Sequence, residues 1–245
     1  MSMFDRAEVP IGTWLKIPAP EPVEILAHVG FDFVVVDLEH APLSLETAYR
    51  IVNSAAALGL TPLVRVPDHT PAMIQKILDA GAHGLLVPKV DTAEQARAVC
   101  RAMRFPPDGE RGAGGTSKAG RWGLRPAAEY YAQRPLCIPQ LESEQAIRSA
   151  ADILALSDVD AVFVGPADLS LSFGTTPDDA AVRELIGHAI REAKAAGKPC
   201  GIAFGDAPPV AAAIEDGCGF ALVSNDTGML AKAAGGLLER LRGVE

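Results

Sequence analysis

Phe31-Asp32-Phe33-Val34-Val35-Val36-Asp37-Leu38-Glu39-His40-Ala41-Pro42 is the stretch on which the fold turns. Its first half is apolar on both faces and of strand length, as a strand buried inside a parallel sheet must be. Its second half switches to Asp37, Glu39 and His40 and is stopped by Pro42. Barrels and doubly wound sheets open their sites at the carboxyl ends of their strands, so an apolar strand ending in ionisable groups is how either would deliver chemistry.

Seven further apolar runs follow the same pattern: Gly12–Ile17, Pro62–Val66, Gly84–Pro88, Leu136–Leu141, Ala161–Val164, Pro199–Ala203 and Phe220–Val223. Amphipathic segments with helix-start signals lie between them. Ser44 precedes Leu45–Leu58, Thr70-Pro71 places a cap before a first-turn proline, and Thr92-Ala93-Glu94-Gln95 reads as a capping box. Gly59, Gly81, Gly197 and Gly217 stand where helices close. Eight strand–helix alternations in 245 residues predict an α/β chain folded as a (β/α)8 TIM barrel, one domain over residues 1–245. A doubly wound sheet would use fewer strands, and no GxGxxG follows a strand.

Composition narrows the function. Hydrophobic residues make up 49% and charged residues 22%, with a net charge of −9 and no Lys/Arg block. That balance speaks against nucleic acid and against an anionic membrane as partners. The first residues have no apolar core of a signal peptide, and no apolar run approaches a membrane span, so the expectation is a cytoplasmic protein. Cys100, Cys137, Cys200 and Cys218 form no CxxC and sit mostly in apolar runs, as buried reduced thiols do. One segment breaks the rhythm: Arg104–Lys118 is rich in Pro and Gly and long for a barrel loop. Its basic residues and backbone N–H groups would suit cover for an anionic substrate; a plain connection fits equally well.

Polar residues gather just past the strand runs. They are Lys16, then Asp37, Glu39 and His40, then Arg65, Lys89, the pair Gln140 and Glu142, Asp168, and finally Ser224, Asn225 and Asp226. Gln140 and Glu142 occupy alternate positions of one strand and so face the same way. Glu142 and Asp168, on adjacent strands with no Cys or His pair beside them, suit a hard divalent cation such as Mg2+ or Mn2+, with Co2+ a further candidate. A 2-keto acid would fill two open positions on such an ion, and coordination of its keto oxygen acidifies the neighbouring carbon. An imidazole ordinarily titrates near neutrality, which makes His40 a proton shuttle. Arg65 would face the substrate carboxylate or the developing enolate. Each residue also has a plainer reading: helix caps for the carboxylates, packing for His40, a pair with Asp37 or Asp68 for Arg65.

At these residues the chain resembles the HpcH/HpaI aldolases, metal-dependent aldolases typified by 2,4-dihydroxyhept-2-ene-1,7-dioate aldolase. The resemblance rests on Asp37-Leu38-Glu39-His40-Ala41-Pro42, Val64-Arg65-Val66-Pro67, Leu78-Asp79-Ala80-Gly81, Arg104-Phe105-Pro106-Pro107 with Arg111-Gly112, Gln140-Leu141-Glu142 and Gly165-Pro166-Ala167-Asp168-Leu169-Ser170. It implies a lyase that makes or breaks a C–C bond between pyruvate and an aldehyde, with 4-hydroxy-2-keto acids as substrates. It implies a homo-oligomer, usually a hexamer built as a trimer of dimers. Carried across, Glu142 and Asp168 match the metal ligands, His40 the base, and Arg65 the arginine facing the enolate. Gln140, Gly165, Pro166 and Ala167 match positions lining pyruvate, and Asp79 matches an aspartate that pairs with the catalytic histidine. Asp79 ends the third helix, at the end of the barrel opposite His40, so that pairing would have to come from a neighbouring subunit. Leu38 stands where the family often has glycine, Pro139 where an aliphatic residue is common, and Gly114–Gly123 matches the family poorly.

Three other readings compete. A Schiff-base aldolase would use Lys16 or Lys89. A lyase of β-hydroxyacyl-CoA esters such as malyl- or citramalyl-CoA would need basic contacts for a nucleotide. A keto-acid-binding barrel without catalysis would not need a proton shuttle beside a metal.

Overall fold

A computed structural model describes residues 3–243. Its strands are β1 (Ile11–Leu15), β2 (Phe33–Asp37), β3 (Thr61–Arg65), β4 (Gly84–Val87), β5 (Leu136–Leu141), β6 (Val162–Val164), β7 (Cys200–Phe204) and β8 (Phe220–Asn225). All eight are parallel and pair in sequence order, and β8 returns to β1 to close the barrel. The expected (β/α)8 architecture is the observed one, and the strands lie within two residues of the apolar runs. Among the described residues no helix is long and apolar enough to cross a membrane.

The helix signals act largely as read. The Ser44 hydroxyl accepts the Thr47 N–H, and Thr92 and Gln95 form a reciprocal capping box. Gly59, Gly81, Gly197 and Gly217 all adopt positive φ. Thr70 differs: it occupies the cap position, but its hydroxyl donates to Asp68 at 2.6 Å and gives no side-chain cap. That donation holds the hydroxyl toward the preceding loop and away from the first-turn N–H groups. The four cysteines are free and buried, with Cys100 and Cys137 sulfurs 3.7 Å apart.

Two apolar layers follow from strand alternation. Side chains such as Val34, Val36, Val64 and Leu85 pack outward under the helices, whereas Phe33, Val35, Leu63, Leu86, Ile138, Phe163 and Phe220 fill the lumen. The lumen holds a column of rings. Phe4, beside the buried Met3, meets Phe220 at 5.2 Å between centroids. Phe220 meets Phe163 at 6.0 Å, and Phe163 takes the edge of Trp14 at 5.8 Å. These rings fit because two strands carry glycine where they approach. A Cβ at Gly201 would fall 2.2 Å from Phe220 Cζ, and one at Gly12 would fall 2.4 Å from the Phe33 ring. Gly201→Ala is therefore expected to destabilise the fold by about 1–3 kcal/mol through overpacking. A urea midpoint equal to that of the parent protein would show that Phe220 moves aside at no cost.

Candidate active site

Strand register brings the rim residues together. β2 and β3 pair Asp37 opposite Arg65. β5 and β6 pair Gln140 opposite Phe163, and the closure of β1 on β8 pairs Trp14 with Asn225. The result is a cleft of about 220 Å³ at the carboxyl ends of the strands, bordered by His40, Arg65, Gln140, Gly165, Pro166, Ala167 and Asp168. Seven of the nine residues singled out from the sequence thus border one space. Glu142 adjoins it, taking the Gln140 amide N–H at 2.7 Å.

The centre of the arrangement is Asp37, fully buried at the end of β2. Its Oδ1 accepts Arg65 Nε at 2.9 Å and the backbone N–H groups of Glu39 and His40 at 3.1 Å each. Its Oδ2 accepts Arg65 Nη2 and lies 2.8 Å from the Lys16 ammonium. Arg65 is thereby held in bidentate geometry, with Nη1 3.2 Å from Glu39 and its guanidinium 4.2 Å over the Trp14 ring. The plainer reading of Arg65, as a partner of Asp37, is correct as far as it goes. It also lines the cleft. Glu39 and Trp14 had no assigned role in the sequence reading, and Asp37 entered it only as one pairing option for Arg65; the one available signal was the apposition of strand ends β2 and β3.

Burial alone would raise the Asp37 carboxyl, but the hydrogen bonds and charge of Arg65, then Lys16 and the His40 N–H, outweigh it and hold it at about 2 against an ordinary 3.8. The unfolded chain therefore binds this proton more readily than the native state. The stability Asp37 contributes is complete above its ordinary value and is lost as pH falls through about 2. Urea unfolding at both ends of that window should show the Asp37→Asn variant losing about 2 kcal/mol less than the parent. Equal losses would mean that Asp37 is not held low.

Glu142 behaves in the opposite sense. Its carboxyl is pushed up to about 7, first by burial and then by the nearby negative charges of Asp168 and Glu39; the Lys89 N–H and Arg65 pull the other way. Lys89 adopts a left-handed φ of 56° and donates its N–H to Glu142 Oε2 at 3.1 Å. A Cβ at Gly165 would lie 3.3 Å from Glu142 Oε1 and 3.8 Å from Asp168 Oδ2, so both carboxylates face the bare side of Gly165. Pro166 opens the helix Pro166–Ser172 and sets Asp168 in its first turn. Among the described residues no group of three or more His, Cys, Asp or Glu side chains forms a ready-made metal cage. Two carboxylates at a mouth suit an ion that keeps most positions for water and substrate.

His40 stands half-exposed at the rim, with Nε2 3.7 Å from Glu39. Asp226, buried at the start of the last helix, accepts the backbone N–H groups of Lys16 and Ile17 and ties the end of β1 to β8. Lys16 is engaged with Asp37 and Lys89 is mostly solvated near Glu39. Neither is the desolvated free amine that a Schiff base needs. Asp79 lies elsewhere. It ends the helix Pro71–Asp79, where strands begin, and its carboxylate takes Arg111 Nη2 at 2.7 Å. The long segment after residue 104 packs at that same end, bonded to Asp79 and Gln75, so it does not cover the cleft of its own chain. A helix-to-strand connection runs to the amino end of the next strand, which is the reason.

A family profile described as HpcH/HpaI aldolase/citrate lyase matches residues 10–229. The chain belongs to that family. It is 39% identical over 244 residues to a hydroxypyruvate/pyruvate aldolase of Delftia acidovorans, covering 98% of this chain and 91% of the relative. It is also 39% identical over 241 residues to a 4-hydroxy-2-oxovalerate aldolase of Novosphingobium aromaticivorans, covering 96% and 90%. The crystal structure of an HpcH/HpaI aldolase/citrate lyase family protein from Burkholderia cenocepacia J2315 superposes with a TM-score of 0.92 at 33% identity, over 98% of this chain and 97% of that one. The HpcH/HpaI chain described here is accordingly an aldolase, a carbon–carbon lyase.

Proposed function

We propose that the chain is a divalent-metal-dependent aldolase that joins the enolate of pyruvate to an aldehyde and cleaves 4-hydroxy-2-keto acids. The observation that carries the reading is the facing of Glu142 and Asp168 across Gly165, beside Arg65 and His40 in one cleft. The aldolase relatives named for pyruvate and 4-hydroxy-2-oxovalerate support the substrate class. Glu142 and Asp168 would hold Mg2+, Mn2+ or Co2+, and a bound ion would supply the positive charge that makes the methyl group of a keto acid acidic.

The protein's own residues do the rest. Arg65, fixed by Asp37 and Glu39 and backed by Trp14, presents its remaining N–H groups to the negative charge of substrate without having to reorganise. His40 carries the proton at the mouth of the cleft, its backbone anchored by Asp37 and its ring half-exposed beside Glu39. Gln140 uses its amide N–H to orient Glu142, leaving its buried Oε1 without a hydrogen-bond partner among the described residues. Gly165, Pro166 and Ala167 form a small-residue wall that leaves space for a three-carbon acid.

The deciding experiment is deuterium exchange into the methyl group of pyruvate without aldehyde, read by mass spectrometry. Exchange that vanishes with chelator and returns with Mg2+ or Mn2+ is expected. Exchange that ignores the chelator would overturn the metal role and move the chemistry to Lys16 or Lys89. No exchange at all would overturn the pyruvate reading in favour of acyl-CoA esters or simple binding.

Asp79 completes the site from a neighbouring copy, by pairing with that copy's His40 in a homo-oligomer, a hexamer arranged as a trimer of dimers. Its place where strands begin, with a carboxylate fixed by Arg111, supports this reading. Asp79→Ala should slow exchange by about 10- to 100-fold with pyruvate affinity unchanged. An unaltered rate in a confirmed oligomer would leave Asp79 as no more than the partner of Arg111.

A further inference from the structure

We infer that the end of the barrel opposite the cleft carries a second site, for a small oxyanion or a small molecule that presents one. A cavity of about 320 Å³ lies there between the helix Leu45–Ala57, the starts of β4 and β5, and the long segment after residue 104. Its charged lining is of one sign: Arg111, Lys118, Arg125 and Arg134, with no Asp or Glu. In a chain of net charge −9 such a lining is unexpected as a chance of composition.

Two of these cations are balanced and two are not. Arg134 pairs with Asp108, and Arg111 pairs with Asp79. Lys118 and Arg125 have no ion-pair partner among the described residues, and Arg125 Nε is buried without a hydrogen bond. Arg111 provides an independent sign. Its side chain is 1% exposed and its Nε is also buried without a partner, although its Nη2 is satisfied. A buried guanidinium nitrogen left bare costs free energy unless something accepts its hydrogen. Oxyanions are the acceptors that arginine forks match best.

The wall that carries these groups is built and ordered. Ala119 donates its N–H to the Asp79 carbonyl, and Gly114 donates to the Tyr130 hydroxyl. The Gly115 carbonyl sits where a Cβ of Gly120 would be, 1.8 Å away, so no other residue fits at position 120 in this fold of the segment. Arg111 is stacked 4.6 Å over the Phe105 ring, which fixes the guanidinium from one side. The basic, Gly-rich segment thus has an anion to hold, at the end of the barrel opposite the cleft of its own chain. The volume admits more than a bare phosphate, so the oxyanion has two sources: free inorganic anion, or the phosphate of a small organic ester.

Isothermal titration of the full chain with inorganic phosphate, then with glycerol 3-phosphate, tests the site. Each titration is run metal-free and again with Mg2+ and saturating pyruvate. One phosphate per chain is expected to bind under both conditions, and Lys118→Gln with Arg125→Gln should weaken it at least about tenfold. Glycerol 3-phosphate binding tighter than phosphate would identify the organic ester as the source, and equal affinity the free anion. Binding that disappears with pyruvate present would place the anion in the cleft and overturn the inference. So would binding unchanged in the double variant, or none at millimolar phosphate. Pyruvate proton exchange in the same variant should equal that of the parent, so loss of the anion site is distinguishable from loss of the aldolase chemistry.

Discussion

Glu142→Gln should lower metal-supported proton exchange on pyruvate by on the order of a thousandfold, about 4 kcal/mol of transition-state stabilisation. The substitution keeps the volume and an oxygen for the Lys89 N–H, but it removes the charge that a cation needs. Asp168→Asn should act the same way, since both carboxylates face the same bare side of Gly165. The metal-free fold should not suffer. Glu142 is buried beside Asp168 and Glu39, and that repulsion is relieved in the amide. The check is exchange at ordinary Mg2+ alongside a urea melt. Exchange within tenfold of the parent would remove both residues from the metal site. Loss of exchange together with a collapsed melt would point to a structural role.

Asp37→Ala is expected to be the most damaging single change to stability, by about 3–5 kcal/mol. Removing this carboxylate strands Arg65, whose side chain is 7% exposed, and takes the acceptor from two backbone N–H groups. For a domain of this length the melting temperature should drop by roughly 10 °C. The cause can be separated from simple cavity formation. In Asp37→Ala with Arg65→Met the stranded guanidinium is gone, while Glu39 keeps the Lys89 ammonium at 3.5 Å, and a large part of the loss should return. Equal instability of single and double variants would mean that Asp37 matters for packing and not for charge.

The sequence was most readable where one physical requirement acts alone. A strand buried on both faces has to be apolar throughout, so the eight runs showed themselves, and a cap has to be a small polar residue at a fixed offset. The rim was readable for a similar reason: polar residues directly after apolar strands have few places to go but the mouth of the barrel. What Asp37 does was readable only as one pairing option for Arg65. A carboxylate at a strand end looks the same whether it caps, binds metal or gathers cations. The choice depends on Lys16 and Arg65, which only barrel closure and strand register bring to it. Asp226 is a further case, since its acceptance of the Lys16 and Ile17 N–H groups spans more than two hundred residues. The Gly-rich segment was legible as unusual and no further, because loop composition carries no record of which end of a barrel it serves.

The ring column in the lumen has a consequence for how this enzyme can change. Phe4, Phe220, Phe163 and Trp14 touch in succession, and the last of them carries the Arg65 guanidinium. Interior packing and the proposed substrate-facing group are therefore one continuous object, with the foundation at one end and the Arg65 guanidinium at the other. A trimmed ring deep in the barrel would be felt as a sunken guanidinium at the far end of the column. Variation that retunes specificity is then confined to the rim loops, while the interior acts as a ruler that keeps the charged groups at a common height.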